Sequence, residues 1–311
     1  MPQQEGEFST AAEAAQDFAA ASRSKASLRA HKSDWHDFEK WCDRHCLITL
    51  PASPQAVAAY LSAMAMAPRP AKLAAIRRRL ATISYAHRLG EHRSPADDPV
   101  VSATMAGIAR TIGSARTKKT ALTAALVTRE VKAIPGDTVA GLLDRALLLL
   151  QFSAGLRVSE PVDLKVNNVA RHQEGIVLMI KRSKTDQKGV GLQKAVPYGK
   201  RLRPVAALDA WLSAARITEG LVSHRARGEG LQGISVRTVS RMIKRRCAAV
   251  GLDPALFASH SLRSGFITSA ATEGAPIAAI ALHAGHKKFD TTMSYVQTTN
   301  AFRDHAGKKI L

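Results

Sequence analysis

Four residues near the C-terminal end could do chemistry together: His260 and Arg263 in His260-Ser261-Leu262-Arg263, His286 after Gly285, and Tyr295. A phenol is a poor nucleophile at neutral pH, because its pKa lies near ~10. It needs a proton acceptor and cationic neighbours to attack anything. Imidazoles supply the first. A guanidinium supplies the second, and its planar fork matches the non-bridging oxygens of a phosphodiester. The set is therefore what attack on a phosphodiester by a tyrosine oxygen would require.

Upstream, Gly155-Leu156-Arg157-Val158-Ser159-Glu160 has similar potential. A run of apolar residues ends at a glycine and an arginine follows at once, with Glu160 three residues on to orient it. Lys181, Lys184 and Lys188 lie in a polar stretch after the apolar segment Ile176–Ile180. Singly, each of these residues has an ordinary explanation. An isolated Arg or Lys is a solvated or ion-paired surface group, and an isolated His or Tyr is a hydrogen-bonded or packed core residue.

In order along the chain, Arg157, Lys184, His260, Arg263, His286 and Tyr295 form a set that resembles the tyrosine recombinase (phage integrase-like) family. The segment from Gly155 to Glu160 resembles the first arginine box, and His260-x-x-Arg263 the second. Gly285-His286 with Thr291-Thr292 and Tyr295 resembles the C-terminal box, including its nine-residue step from His to Tyr. Pro161 departs from the family pattern, so the helix after Arg157 is expected to begin differently. The resemblance implies that Tyr295 attacks phosphorus to give a 3′-phosphotyrosine and a free 5′-hydroxyl. Arg157, Arg263 and His286 would hold the phosphate oxygens, and Lys184 would protonate the leaving oxygen. His260 would assist proton transfer, and Glu160 would orient the clamp. Lys181 and Lys188 are the alternatives for the lysine. No metal and no other cofactor is implied, and religation needs no ATP.

The elements that must position these groups are mostly helical. The expected fold class is mainly α with a small β-sheet (α+β): an N-terminal four-helix core-binding domain and a C-terminal integrase-like catalytic domain. Residues 1–22 read as a flexible N-terminal segment, 23–113 as the helical DNA-binding domain, 114–121 as a basic linker and 122–311 as the catalytic domain. The spacing predicts a first helix from Ser24, carrying Leu28, Trp35, Phe38 and Trp41. A second starts at Ser53-Pro54, an N-cap followed by a first-turn proline. A third carries Leu73, Ile76, Leu80 and Ile83 and ends at Gly90, and a fourth runs from Asp98 to Ile112. In the second domain a buried helix is expected over Val139–Ser153, and strands over Ile176–Ile180 and Ala195–Tyr198. Helices follow over Val205–Ala215, Ser235–Val250, His260–Glu273 and Pro276–Ala284, then one carrying Tyr295.

The 311-residue chain has a net charge of +20, which favours a polyanionic partner. Candidate DNA-binding residues are Lys72, Arg77, Arg78 and Arg79 on the third helix and Lys118 and Lys119 in the linker. Arg237, Arg241 and Lys244, with Arg245 beside them, are candidates on the Ser235–Val250 helix. Strong salt dependence is expected. The resemblance implies double-stranded DNA with inverted-repeat target sites, and a homotetramer on DNA in which the tail from Asn300 to Leu311 docks on a neighbour. It also implies a simple recombinase without an arm-binding module. A topoisomerase-like nicking and resealing enzyme, or a non-catalytic DNA-binding protein of the same fold, are the alternatives.

Three cysteines, Cys42, Cys46 and Cys247, do not make a disulfide framework and fit a reducing interior. Cys42 and Cys46 match no common zinc spacing and read as buried apolar residues. No basic stretch followed by an apolar core marks a signal peptide, and the apolar run Ala146–Leu150 is too short to span a bilayer. The expected location is cytoplasmic, with the nucleoid. No glycine-rich phosphate loop or internal repeat is visible.

Overall fold

The computed structural model describes residues 25–113, 119–180, 191–227, 230–286 and 289–300. The chain divides into two compact units, 1–117 and 118–311.

In the first unit the described helices are α1 (Lys25–Arg44), α2 (Pro54–Met66), α3 (Leu73–Leu89) and α4 (Pro99–Ile112). Their starts follow from local chemistry. The Ser53 hydroxyl accepts from the Ala56 N–H, with Pro54 in the first turn. The Asp98 carboxylate accepts from the Val100 N–H, with Pro99 behind it. Both caps satisfy donors that the helix itself leaves free. Helix α1 packs on α3, and α2 on α4. Their shared core is built on Phe38, Val57, Tyr60, Leu61, Ile76 and Ile83. Cys42 is buried in this core, but Cys46 is exposed. α1 stops at Arg44, so Cys46 falls in the turn beyond it and not one helical turn further along a buried face. Leu28, near the start of α1, is also exposed, at 37%.

The second unit contains α5 (Ala124–Ala133), α6 (Val139–Ser153), the one-turn α7 (Glu160–Asp163), β1 (Val169–His172), β2 (Gly175–Ile180) and β3 (Leu192–Pro197). After these come α8 (Pro204–Ala214), the hairpin β4 (His224–Arg227) and β5 (Gly230–Gly233), α9 (Val236–Ala249), α10 (His260–Thr272), α11 (Ile277–Ala284) and α12 (Phe289–Asn300). The second half of α6 is buried all round, and Leu147 to Leu150 are each 2% exposed or less. Full burial of such side chains contributes about 1.5–3 kcal/mol each, so α6 is the axis on which the unit is assembled. β1, β2 and β3 form an antiparallel sheet in that order. In its register Ile176 faces Val196, Leu178 faces Lys194 and Ile180 faces Leu192. Alternation puts Ile176, Leu178, Ile180, Lys194 and Val196 on the buried face.

The chain entering this unit is pinned to the start of α10. The Thr120 N–H donates to the Leu256 carbonyl at 2.9 Å and the Leu122 N–H to the Ser261 carbonyl at 2.8 Å. Helix α10 carries Gly265 at this crossing. A Cβ there would stand 1.7 Å from the Leu122 carbonyl oxygen, so only glycine allows the approach.

The α+β class read from the sequence is the class observed. Helix α5, strand β1 and the β4–β5 hairpin are additions to that reading. Pro161 sits in the first turn of α7, where a missing N–H costs nothing. The expected lysine turn, with Lys181, Lys184 and Lys188, lies outside the described residues. So do residues 1–22, Lys118 and the tail beyond Asn300.

Candidate active site

Two helices, α6 and α11, end close to one another, and the site is built on their C-termini. The final carbonyls of a helix have no partner within it and carry the negative end of its dipole. Here cationic and imidazole side chains take them up. At the end of α6, the Ser153 carbonyl lies 2.9 Å from His283 Nε2. The Ala154 carbonyl accepts from Lys194 Nζ at 2.9 Å, and the Gly155 carbonyl from Arg263 Nη1 at 2.6 Å. At the end of α11, His283 gives its carbonyl to Lys194 and Ala284 gives its carbonyl to Arg263. Gly285 gives its carbonyl to Arg157 Nη2 at 3.4 Å. Gly285 holds φ +63°, the left-handed cap that glycine adopts without strain, and a Cβ there would press on Leu192 at 2.9 Å.

Arg157 leaves the turn after α6. Its Nη1 donates to Glu160 Oε1 at 2.9 Å, and its own backbone N–H to Glu160 Oε2 at 2.9 Å. Glu160 is buried, so it fixes both the backbone and the guanidinium of Arg157. Arg263 on α10 is 2% exposed. Burial and the nearby Arg157 charge bring its pKa down to about 10.

His260 opens α10, and its Nε2 lies 3.0 Å from the Tyr295 hydroxyl. His260 is exposed at its outer edge, but packing around the ring strips away water, and this desolvation, then the Arg263 and Arg157 charges, lower its pKa. That favours the neutral imidazole, the form that can take up a proton. His286 Nδ1 lies 2.8 Å from the hydroxyl of the buried Thr292. Burial first, then the surrounding cations, push its pKa down to about 4. Its ring stacks on Tyr295 at 6.3 Å between centroids. Tyr295 also packs against the small apolar cluster of Ile267, Ala271, Ile280 and Ala284. Burial raises the Tyr295 pKa, and the Arg263 charge works against that rise.

Five of the six residues picked out by the sequence boxes, Arg157, His260, Arg263, His286 and Tyr295, come together with Glu160; Lys184 lies outside the described residues. Lys194 was missed. Its signal was its place at an inward position of the β3 pattern, between Leu192 and Val196.

The basic residues named for DNA contact fall into two groups. Arg237, Arg241 and Lys244 are exposed on α9, and Lys72 and Arg77 are exposed on or beside α3. Arg78 and Arg79 are instead engaged within the first unit. Arg78 makes a two-pronged pair with Asp34 of α1 at 2.6 and 2.9 Å, and Arg79 reaches Asp37 at 2.6 Å. Arg245 and Arg246 both turn to Asp144 of α6. Lys119 donates its ammonium to the Ala255 carbonyl. Among the described residues no helix is long and apolar enough to cross a membrane.

Comparison with known proteins identifies relatives of the chain. Residues 124–301 match the model of the phage integrase family. An integrase/recombinase XerD homolog of Selenomonas ruminantium is 32% identical over 92% of this chain and 85% of its own length. The tyrosine recombinase XerD of Xanthomonas axonopodis pv. citri is 34% identical over 55% of each chain. Three solved structures share the fold. XerH site-specific recombinase bound to its difH substrate aligns with a TM-score of 0.63 at 14% identity, over 83% of this chain and 73% of that one. A lambda integrase dimer bound to a core site aligns at 0.60 and 19% identity, over 90% and 74%. A lambda integrase tetramer bound to a Holliday junction aligns at 0.58 and 18% identity, over 88% and 75%. The chain belongs to the phage integrase family of tyrosine recombinases.

Proposed function

We propose that this chain is a site-specific DNA recombinase that cuts and rejoins duplex DNA through a 3′-phosphotyrosine and exchanges strands between two sites. The observation that carries the reading is the 3.0 Å contact between His260 Nε2 and the Tyr295 hydroxyl, beside two guanidiniums held in place by helix-end carbonyls. Neutral His260 takes the phenolic proton as the Tyr295 oxygen bonds to phosphorus. Charge grows on the non-bridging oxygens, and Arg157 and Arg263 meet it with N–H groups whose positions are already set. His286 adds a further hydrogen bond. The bond from phosphorus to the 5′-oxygen breaks, and Lys184 gives that oxygen its proton. Return of the 5′-hydroxyl reverses each step, so the bond energy is conserved and no nucleotide is consumed.

The partner is double-stranded DNA carrying inverted-repeat sites. The exposed Lys72, Arg77, Arg237, Arg241 and Lys244, with Lys118 and Lys119, supply phosphate and groove contacts. A homotetramer is the assembly that strand exchange between two such sites requires, and the DNA-bound assemblies of the structural neighbours support it.

A suicide duplex that traps the cut strand tests the nucleophile. Wild type should form a covalent adduct, and Tyr295→Phe should bind the duplex and form none. A cleaving Tyr295→Phe would refute the assignment. Lys184→Ala should recover cleavage on a 5′-bridging phosphorothiolate, whose sulfur leaves without a proton. The same rescue in Lys181→Ala or Lys188→Ala would move the role to that lysine. Supercoil relaxation with no pairing of two sites would point to a nicking and resealing enzyme instead.

A further inference from the structure

Lys194 has no part in the reaction just described, yet it is 1% exposed and lies among the site's charges. An ammonium out of water costs several kcal/mol unless hydrogen bonds replace the lost hydration. Its position on β3, opposite Leu178 and one pleat from Val196, would suit a leucine. The bonds it makes are specific. Its Nζ donates to the carbonyls of Ala154 and His283. The very next carbonyls along each segment, those of Gly155 and Ala284, accept from Arg263. The carbonyl after Ala284, that of Gly285, accepts from Arg157. Lys194 and Arg263 thus bridge the same two helix ends, one residue apart, with the lysine on the sheet side.

We propose that Lys194 is a positioning residue for the phosphate clamp: it ties the ends of α6 and α11 together so that the Gly155 and Ala284 carbonyls hold the Arg263 guanidinium in register. This rests on the reading of Arg263 as a phosphate ligand. The electrostatics agree with the geometry. Burial draws the Lys194 pKa down to about 8; Glu160 opposes that shift, while Arg263 and Arg157 add to it. Among the described residues its hydrogen-bond partners are two carbonyls and no carboxylate, so these bonds hold the ammonium without cancelling its charge.

The test is single-turnover adduct formation on the suicide duplex, alongside duplex affinity. Lys194→Met keeps the length and loses the donors. It should slow cleavage roughly tenfold to a hundredfold, as small misplacements of a reacting set do, with the duplex Kd within about threefold of wild type. A partner acting through Arg263 has little left to lose once Arg263 is altered. In an Arg263→Lys background, the same substitution should therefore cost less than about threefold. Should Lys194→Met fail to fold, Lys194→Gln, which keeps two N–H donors, is read in its place and should give a smaller loss of the same kind. A variant that folds and cleaves at the wild-type rate overturns the proposal and leaves the proposed function standing. Losses that simply multiply across the two backgrounds also overturn it. Absence of an adduct with wild-type protein overturns both.

Discussion

Both units place two arginines against packed helices, and they neutralise them differently. In the first unit Arg78 and Arg79 meet Asp34 and Asp37, so two guanidiniums face two carboxylates. In the second, Arg157 and Arg263 share their surroundings with Lys194 and face one carboxylate, Glu160. Their other partners are backbone carbonyls at helix ends. A carbonyl supplies hydrogen bonds and a partial charge without cancelling the cation. The first arrangement fastens α3 to α1. The second leaves a standing positive charge at the proposed phosphate site.

The comparison breaks most sharply at Arg263. Arg263→Gln should lower the rate of adduct formation by on the order of 10²–10³-fold, the loss typical of one fixed donor to a developing oxyanion. Duplex affinity should change far less. A cleavage rate within tenfold of wild type would put Arg263 in the same class as Arg78.

Asp34→Asn probes the other side. It leaves two guanidiniums facing a buried, uncharged amide and should destabilise the first unit by about 2–3 kcal/mol, read as a lower urea midpoint. The cleavage rate on saturating duplex should stay within about twofold, because no site contact changes. A loss of cleavage with full stability would mean that this pair does more than hold helices together.

The histidines sharpen the comparison through pH. His286 binds its proton with a pKa of about 4 in the folded protein, against 6.5 as its ordinary value. Between those values the unfolded chain holds more protons than the folded one, so stability rises with pH across that window. Its contribution is complete above about 6.5 and is lost as pH falls toward about 4. His260 shifts in the same direction. Replacing His286 with Gln should flatten the slope of denaturation midpoint against pH between 4 and 6.5, and an unchanged slope would remove His286 as its source.

The smallest effect belongs to Arg171 and Asp209, paired at 2.6 Å but both about half exposed. Asp209→Asn should shift stability by no more than about 0.5 kcal/mol. A larger shift would mean that carboxylate pairing stabilises even in solvent, and would narrow the difference between the two units.

What could be read from the chain divides along physical lines. Ser53-Pro54 announces its helix because a cap is a local event between neighbours. Arg157, His260, Arg263, His286 and Tyr295 could be picked out because their types and order resemble a family pattern. The way Arg263 is held could not be read. Its partners are carbonyls, which every residue carries, so no side chain signals them. Lys194 was passed over because a lysine is ordinarily a surface residue, and only its inward phase on β3 said otherwise. Helix α5 went unread because its cap, Thr123, makes no side-chain bond, and because its buried positions include the polar Glu130.

The crossing of Leu122 over Gly265 has one more consequence. The chain enters the second unit at 118 and is tied within a few residues to Leu256 and Ser261, at the threshold of α10. The tie is an anchor for the incoming chain at the foot of the helix that carries His260 and Arg263. A pull on the chain at Thr120 is taken up by two backbone hydrogen bonds and the close approach of Leu122 to Gly265. It reaches the first turn of α10 through Ser261, the residue next to His260. Enlarging Gly265 to Ala would loosen that fitting, even though the substitution lies on the opposite flank of the helix's chemistry.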